Sequence, residues 1–182
     1  IVKAIKLLKP GALAAFVTSH GTMDKADGAA RELIARHADL VAAIRLPEGS
    51  FRADAGTDVV VDILFFRRRK PGEPEGDLSW LDLEEVRPAT EDEGAIRVNR
   101  WFAQHPRLVL GTHALTSGPF GETYTCHPNA GEDLATALAA AATLLPDAIY
   151  DGEPEPIDAE AEDEPAPAKL ENAASLTARE GS

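Results

Sequence analysis

Three apolar runs of strand length lie in the first 70 residues, and the spacing of the last two restricts how they can pair. The runs cover residues 12–18, 40–46 and 57–66. The third is rich in the β-branched and aromatic residues that strands favour. Only residues 47–56 separate the second run from the third. Because that stretch is too short for a crossover helix, we predict that these two strands pair antiparallel.

The first run predicts a buried strand of an α/β sheet. It follows Pro10 and Gly11, which end a helix predicted over residues 1–9. A continuous apolar run of this kind is typical of a central parallel strand that is covered on both faces. Residues 27–37 carry apolar side chains on one helical face and predict an amphipathic helix between the first two strands. The fold class is therefore α/β over residues 1–70.

The rest of the chain divides into a small α+β region over residues 71–150 and a tail over residues 151–182. The α+β region contains predicted helices near residues 98–104 and 132–145, a predicted strand at 108–112 and a Gly-rich turn at 118–121. Residues 151–164 hold eight acidic side chains and no basic one, which predicts a disordered acidic linker. This segment contributes much of the net charge of −13. That charge is therefore a weak argument against a nucleic-acid partner.

The cysteine and histidine content argues against a disulfide framework and a metal centre. Cys126 is the single cysteine of the sequence, so no internal disulfide can form. His105, His113 and His127 share its region, but their spacing matches no familiar zinc pattern, and we expect no metal. Ser117 with His113 forms no recognisable hydrolase arrangement. Without a signal peptide or a long apolar run, we expect a soluble cytoplasmic protein with no membrane partner.

Two stretches resemble N-6 adenine DNA methyltransferases. Residues 7–19, LLKPGALAAFVTS, resemble the strand after the catalytic motif of that family, where "LLKPGG" leads into a buried strand. Residues 46–51, LPEGSF, followed by AGT at 55–57 and DILFF at 62–66, resemble the "LP..F...A.T...ILF" signature of type I restriction modification subunits. Residues 101–126 are similar to the region that follows the methylase domain in large methylase-helicase fusion proteins of phages and mobile elements.

The resemblance implies the C-terminal half of a Rossmann-like methyltransferase sheet that acts on adenine in DNA with S-adenosylmethionine as cofactor. The family binds S-adenosylmethionine with a glycine-rich loop and positions the target amine with an Asn-or-Asp-Pro-Pro-aromatic motif. This sequence contains no Gly-x-Gly and no Pro-Pro. Both motifs are expected upstream of Ile1. We therefore expect no catalytic or cofactor-binding residue in this chain and no activity from it alone, while a helicase domain in the same polypeptide is an implied partner.

The resemblance also assigns residues to the target-base pocket. An aromatic side chain at the position of Phe51 stacks on the flipped adenine in the family, although Phe51 could instead pack against the sheet. Ser19 and His20 would form the floor of the pocket, since open α/β sheets bind ligands at the carboxyl ends of their strands; an ordinary loop is the alternative. Thr57 would line the same pocket or simply open the third strand.

The basic run Arg67, Arg68, Arg69 and Lys70 could contact DNA phosphates, and a solvated strand end is the alternative. A different class of function is also open. The chain could be a non-catalytic interaction module, or a methylase remnant, that contacts a helicase domain.

Overall fold

A computed structural model of the protein describes residues 1–52, 56, 58–118 and 121–147. Contacts along the chain define two units, Ile1–Gly152 and Glu153–Ser182. All the described residues belong to the first unit. The predicted acidic linker over residues 151–182, the predicted pocket residue Thr57 and the centre of the predicted turn at 118–121 lie outside the described residues.

The first 70 residues form a three-stranded sheet with short helices. Its elements are α1 (Val2–Leu7), β1 (Leu13–Ser19), α2 (Gly21–Asp24), α3 (Ala29–Ala35), β2 (Ala38–Leu46) and β3 (Val61–Arg68). The strand order is β1-β3-β2. β2 and β3 pair antiparallel, from Leu46 opposite Val61 to Ala38 opposite Arg68, which confirms the pairing predicted from the short connection between them.

β1 lies at the edge of this sheet rather than at its centre. It pairs antiparallel with β3, from Leu13 opposite Arg67 to Ser19 opposite Val61, and no other described strand adjoins it. β1 and β2 therefore run parallel to each other with β3 between them. The side chain of Val17 is 61% exposed. The prediction of a central strand covered on both faces is thus wrong within the described part of the chain, because β1 has a neighbouring strand on one side only and one of its faces is open at Val17.

The second region consists of two hairpins, two 3-10 turns and two helices. These are a 3-10 turn (Ser79–Leu81), β4 (Leu83–Arg87), β5 (Ile96–Asn99), α4 (Arg100–Gln104), a 3-10 turn (Pro106–Leu108), β6 (Thr112–Gly118), β7 (Gly121–His127) and α5 (Leu134–Ala142). β4 pairs antiparallel with β5, and β6 with β7. The fold is therefore a mixture of helices and small antiparallel sheets.

Local capping explains why both helices form near their predicted positions. The side chain of Asn99 accepts a hydrogen bond from the Trp101 N–H at the start of α4, and Asp133 accepts one from the Thr136 N–H at the start of α5. In place of the strand predicted at residues 108–112, the chain forms a single parallel β-bridge between Val109 and Arg45 of β2. Pro106 starts a 3-10 turn just before it, over Pro106–Leu108, because its fixed φ suits the first helical position, and β6 begins only at Thr112.

The second region covers both faces of the first sheet. On one face Leu64 and Phe66 pack with Trp80, Val98 and Phe102 in one core cluster. On the other face a second cluster forms over the end of β2, and its buried members are Ile44, Leu46, Leu108, Leu110, Ala137 and Ala141. Residues on both sides of position 70 therefore share both cores. β7 also meets the loop after β2, where the Glu48 N–H donates a hydrogen bond to the Cys126 carbonyl at 2.8 Å.

Candidate functional site

The carboxyl ends of β1 and β2 lie at the same end of the first sheet. Ser19, the last residue of β1, and Leu46, the last residue of β2, are both opposite Val61. Open α/β sheets place ligand contacts at this position. The structure therefore brings the predicted pocket residues Ser19 and His20 to the same end of the sheet as the loop that carries Phe51.

His20 is partly buried at this end, and Ser19 is exposed. The His20 ring centroid lies 5.2 Å from that of Tyr124. Its Nδ1 is buried and has no hydrogen-bond partner within the described residues, and the same holds for Oγ1 of Thr18. Burial lowers the pKa of His20. The imidazole is therefore neutral near pH 7 and offers a ring nitrogen as a hydrogen-bonding group.

The loop after β2 lines a cavity and is tied to β7. Residues of this loop, together with Pro128 and Leu134, enclose a volume of about 340 Å³. The Glu48 carboxylate accepts a hydrogen bond from Oγ1 of Thr125 at 2.6 Å and lies 2.8 Å from Nδ1 of His127. The hydrogen bond from Thr125, helped by His127, lowers the pKa of Glu48. Glu48 therefore holds the loop in place as a carboxylate.

Phe51 is partly buried and packs against the core cluster formed by Ile44, Leu46 and their neighbours. This contact agrees with the packing alternative for Phe51. Phe51 belongs to the loop beside the cavity but is not among the residues that line it, and its stacking role stays a prediction.

A buried ionic cluster that the sequence patterns did not predict lies behind His20. It consists of Asp24, Arg45, Asp62, His113 and Tyr124. The Arg45 guanidinium binds Asp62 through two hydrogen bonds of 2.8 and 2.9 Å and binds Asp24 at 2.7 Å. Both Arg45 and Asp62 are fully buried, and the Asp24 side chain is 8% exposed. Burial opposes the charge of Arg45, but the carboxylates of Asp62 and Asp24 raise its pKa well above the usual value.

Tyr124 connects this cluster to its outer edge. Arg45 donates a hydrogen bond to the Tyr124 hydroxyl oxygen at 3.1 Å, and that hydroxyl lies 2.7 Å from Nδ1 of His113. Burial, followed by repulsion from Arg45, lowers the pKa of His113. The outer edge of the cluster thus presents two neutral imidazoles, His20 and His113.

Asp24 extends the cluster to the second region. Its Oδ1 accepts a hydrogen bond from the Asn99 N–H at 2.8 Å. The buried Asn99 side chain then donates to the carbonyls of Met23 at 2.9 Å and Trp80 at 2.7 Å. These contacts fasten α2 to the start of α4. Arg45 and Asp62 therefore hold the site together, whereas the partly buried imidazoles are the groups that could meet a ligand.

The basic run predicted to contact DNA lies at the opposite end of the sheet and consists of Arg67, Arg68, Arg69 and Lys70. Arg67 pairs with Glu73, and Arg69 binds Asp39 at 2.7 Å. Nη1 of Arg68 donates to two carbonyls of the α1 end, and the Lys70 N–H donates to Glu73 at 2.8 Å. The three guanidinium groups thus have partners in the protein, and their contact with DNA stays a prediction.

Comparison of the chain with known protein families, with curated proteins and with solved structures finds no match. Across the described residues, no group of three or more His, Cys, Asp or Glu side chains is arranged to hold a metal ion. No helix in that part of the chain has the length and apolar character needed to cross a membrane. The sequence offers no glycine-rich loop for S-adenosylmethionine, so the residues present do not fit this cofactor.

Proposed function

We propose that the chain is the C-terminal part of an adenine N-6 DNA methyltransferase and supplies the sheet edge and part of the target-base pocket. In this proposal, methyl transfer from S-adenosylmethionine uses cofactor-binding and amine-positioning groups outside these 182 residues. The residues of this chain position the base. The proposal includes a DNA partner, a Rossmann-like sheet and a role in DNA modification.

One observation carries the proposal. The first stretch that resembles the family contains β1, the second begins at the last residue of β2, and these two strands run parallel and end at the same edge of the sheet. Side chains that are distant in sequence, His20 and Phe51, therefore belong to one end of one sheet. This arrangement is required if both stretches contribute to a single pocket for a flipped base.

The test is the Phe51→Ala variant of the natural polypeptide that contains these residues. If Phe51 stacks on the base, the variant should lose about 1 to 3 kcal/mol of transition-state or substrate stabilisation, while cofactor affinity and melting temperature stay nearly unchanged. Phe51→Trp should retain more activity because it keeps an aromatic face. The measurements are methyl transfer to duplex DNA, calorimetric affinity for S-adenosylmethionine, and thermal unfolding.

Phe16→Ala is the matched control. Phe16 is a partly buried phenylalanine of β1 that packs against the core with its centroid 6.3 Å from that of Phe66. It should lower the melting temperature and impair both functions together. The same joint loss in Phe51→Ala would assign Phe51 to packing. Absence of adenine methylation by the unaltered polypeptide would refute the proposed function itself.

The edge of β1 favours a second candidate, an interaction module that contacts a helicase domain or another protein. β1 has a strand on one side only in the described part of the chain, and Val17 on this strand is exposed. An edge of this kind can pair with a strand of a partner. Reading the frame upstream of the codon for Ile1 separates the two candidates, since the enzyme requires the missing glycine-rich and Pro-Pro motifs there.

A further inference from the structure

A pocket with strong positive charge lies at the end of the first sheet opposite to His20. Its volume is about 290 Å³. Along β3, the six residue steps from Val61 to Arg67 separate the two ends by roughly 20 Å. The pocket is bounded by the end of α1, the end of α3 and the turn after β3. We call it the basic pocket, and its basic lining residues are Lys6, Arg36, His37, Arg68, Arg69 and Lys70.

The charge of the basic pocket is opposite to that of the whole protein. Five of its lining side chains are lysines or arginines, whereas Glu73 is the one carboxylate among the described residues that line it. Asp39 lies behind the pocket, where it pairs with Arg69 and faces Arg67. The pocket therefore carries an excess of positive charge in a chain whose net charge is −13. Such a concentration attracts anions.

The cations of the basic pocket differ in how they are held. The Arg68 and Arg69 guanidinium groups are fixed by backbone carbonyls and by Asp39. In contrast, the side chains of Lys6 and Arg36 are exposed and form no hydrogen bond or ion pair with any described residue. Arg68 and Arg69 are thus held in place beside the exposed Lys6 and Arg36. An anion with several acceptor oxygens can bind between these two pairs of cations.

The pKa of His37 reflects the positive charge around the basic pocket. Burial lowers its pKa, and repulsion from Lys6, Arg68, Arg36 and Arg69 lowers it further. The charged groups with the largest effect on this pKa are all basic, although the carboxylate of Glu73 also lines the pocket. The neutral imidazole can hydrogen-bond a ligand without adding charge.

We propose that the basic pocket binds a phosphate group, carried either by a small phosphorylated compound or by a nucleic-acid backbone. Phosphate offers the negative charge and the acceptor oxygens that arginine and lysine side chains recognise. The site is separate from the end of the sheet that holds His20, and the proposal does not depend on adenine methylation.

The test compares Lys6→Gln and Arg36→Gln in the full 182-residue chain with Lys25→Gln, which removes an exposed lysine outside the pocket. Binding of inorganic phosphate is measured by calorimetry at low and high salt. Each pocket variant should bind about tenfold more weakly, because one charge-assisted hydrogen bond is lost, and the control should bind like the unaltered chain. Equal melting temperatures establish that all three variants fold.

NMR titration of the histidines supplies a second readout. Phosphate should raise the pKa of His37 because it offsets the surrounding cations, while His20, His105, His113 and His127 serve as internal controls. Anisotropy measurements with a short DNA duplex identify the source of the group. If Lys6→Gln and Arg36→Gln also bind the duplex about tenfold more weakly, the phosphate group belongs to a nucleic-acid backbone. If their binding to the duplex is unchanged, the group belongs to a small phosphorylated compound. Both results agree with the proposal. Absence of saturable phosphate binding, or an equal loss in Lys25→Gln, would overturn it.

Discussion

Replacement of Arg45 by methionine tests whether the buried ionic cluster holds the two regions together. Methionine keeps most of the side-chain length but removes the charge and all the hydrogen bonds. Asp62 loses both of its hydrogen bonds to Arg45, and Asp24 loses the contact at 2.7 Å. Two carboxylates, one fully buried and one 8% exposed on its side chain, then have no cation beside them.

The expected cost follows from that burial. Removal of one partner of a buried ion pair destabilises a protein by about 3 to 5 kcal/mol, because the other charge stays desolvated. A domain of this size has a total stability of about 5 to 15 kcal/mol. Arg45→Met should therefore lower the free energy of unfolding by about 3 to 5 kcal/mol. The assay is urea denaturation followed by tryptophan fluorescence, since Trp80 is buried in the core cluster beside Phe66.

Two further variants isolate the cause. Arg52→Met removes an arginine whose ion pair with Asp58 is exposed, with side chains 69% and 61% accessible, and it should leave the unfolding midpoint almost unchanged. The double variant Arg45→Met with Asp62→Leu should be more stable than Arg45→Met alone, because it removes the unpaired carboxylate as well. A loss below about 1 kcal/mol in Arg45→Met, or a double variant less stable than the single one, would refute this reasoning.

Two other predictions concern packing and pH. A Cβ at Gly111 would lie 2.4 Å from the His127 carbonyl oxygen and 2.8 Å from Cys126 Sγ, so Gly111→Ala should cost about 1 to 3 kcal/mol in urea denaturation. Gly21→Ala, whose nearest neighbour is Ser19 Oγ at 3.8 Å, should be neutral or stabilising in α2, and equal effects of the two variants would contradict the steric argument. Because burial lowers the pKa of His113 in the folded state, protons bind the unfolded chain more readily, and stability should fall as pH drops through the ordinary value of 6.5. His113→Gln should therefore lose less stability than the unaltered chain between about pH 7.5 and 5.5, and parallel pH profiles would show that His113 does not contribute.

Local sequence signals predicted the elements that short-range geometry determines. The connection between β2 and β3 is short enough to require antiparallel pairing, and α5 begins at Asp133, a residue type that caps helices. The hairpins β4–β5 and β6–β7 were missed because most of their side chains are exposed or only partly buried, so they lack the apolar alternation that identifies a strand.

The ionic cluster was not predicted, because its contacts join parts of the chain that are separated in sequence. Arg45 lies 17 positions from Asp62 and 79 from Tyr124. A signal was nevertheless present, since Arg45 and Asp62 each occupy a strand that is otherwise rich in apolar residues. A charged residue inside such a strand needs a buried partner of opposite charge. In this sheet the two side chains are directly opposite each other.

Both proposed functions require a further strand beside the edge of β1. Natural sheets protect their edge strands with lysine, proline, bulges or a covering element. β1 has the sequence LAAFVTS and contains neither lysine nor proline, and its pairing with β3 has no register shift. Alternate backbone groups of β1 point away from β3 in an antiparallel pair, and exposed Val17 adds an apolar surface beside them. A strand with these properties is suited to have a further strand beside it. The methyltransferase proposal requires an additional strand of the same sheet at this edge, whereas the interaction module requires a strand of a partner there.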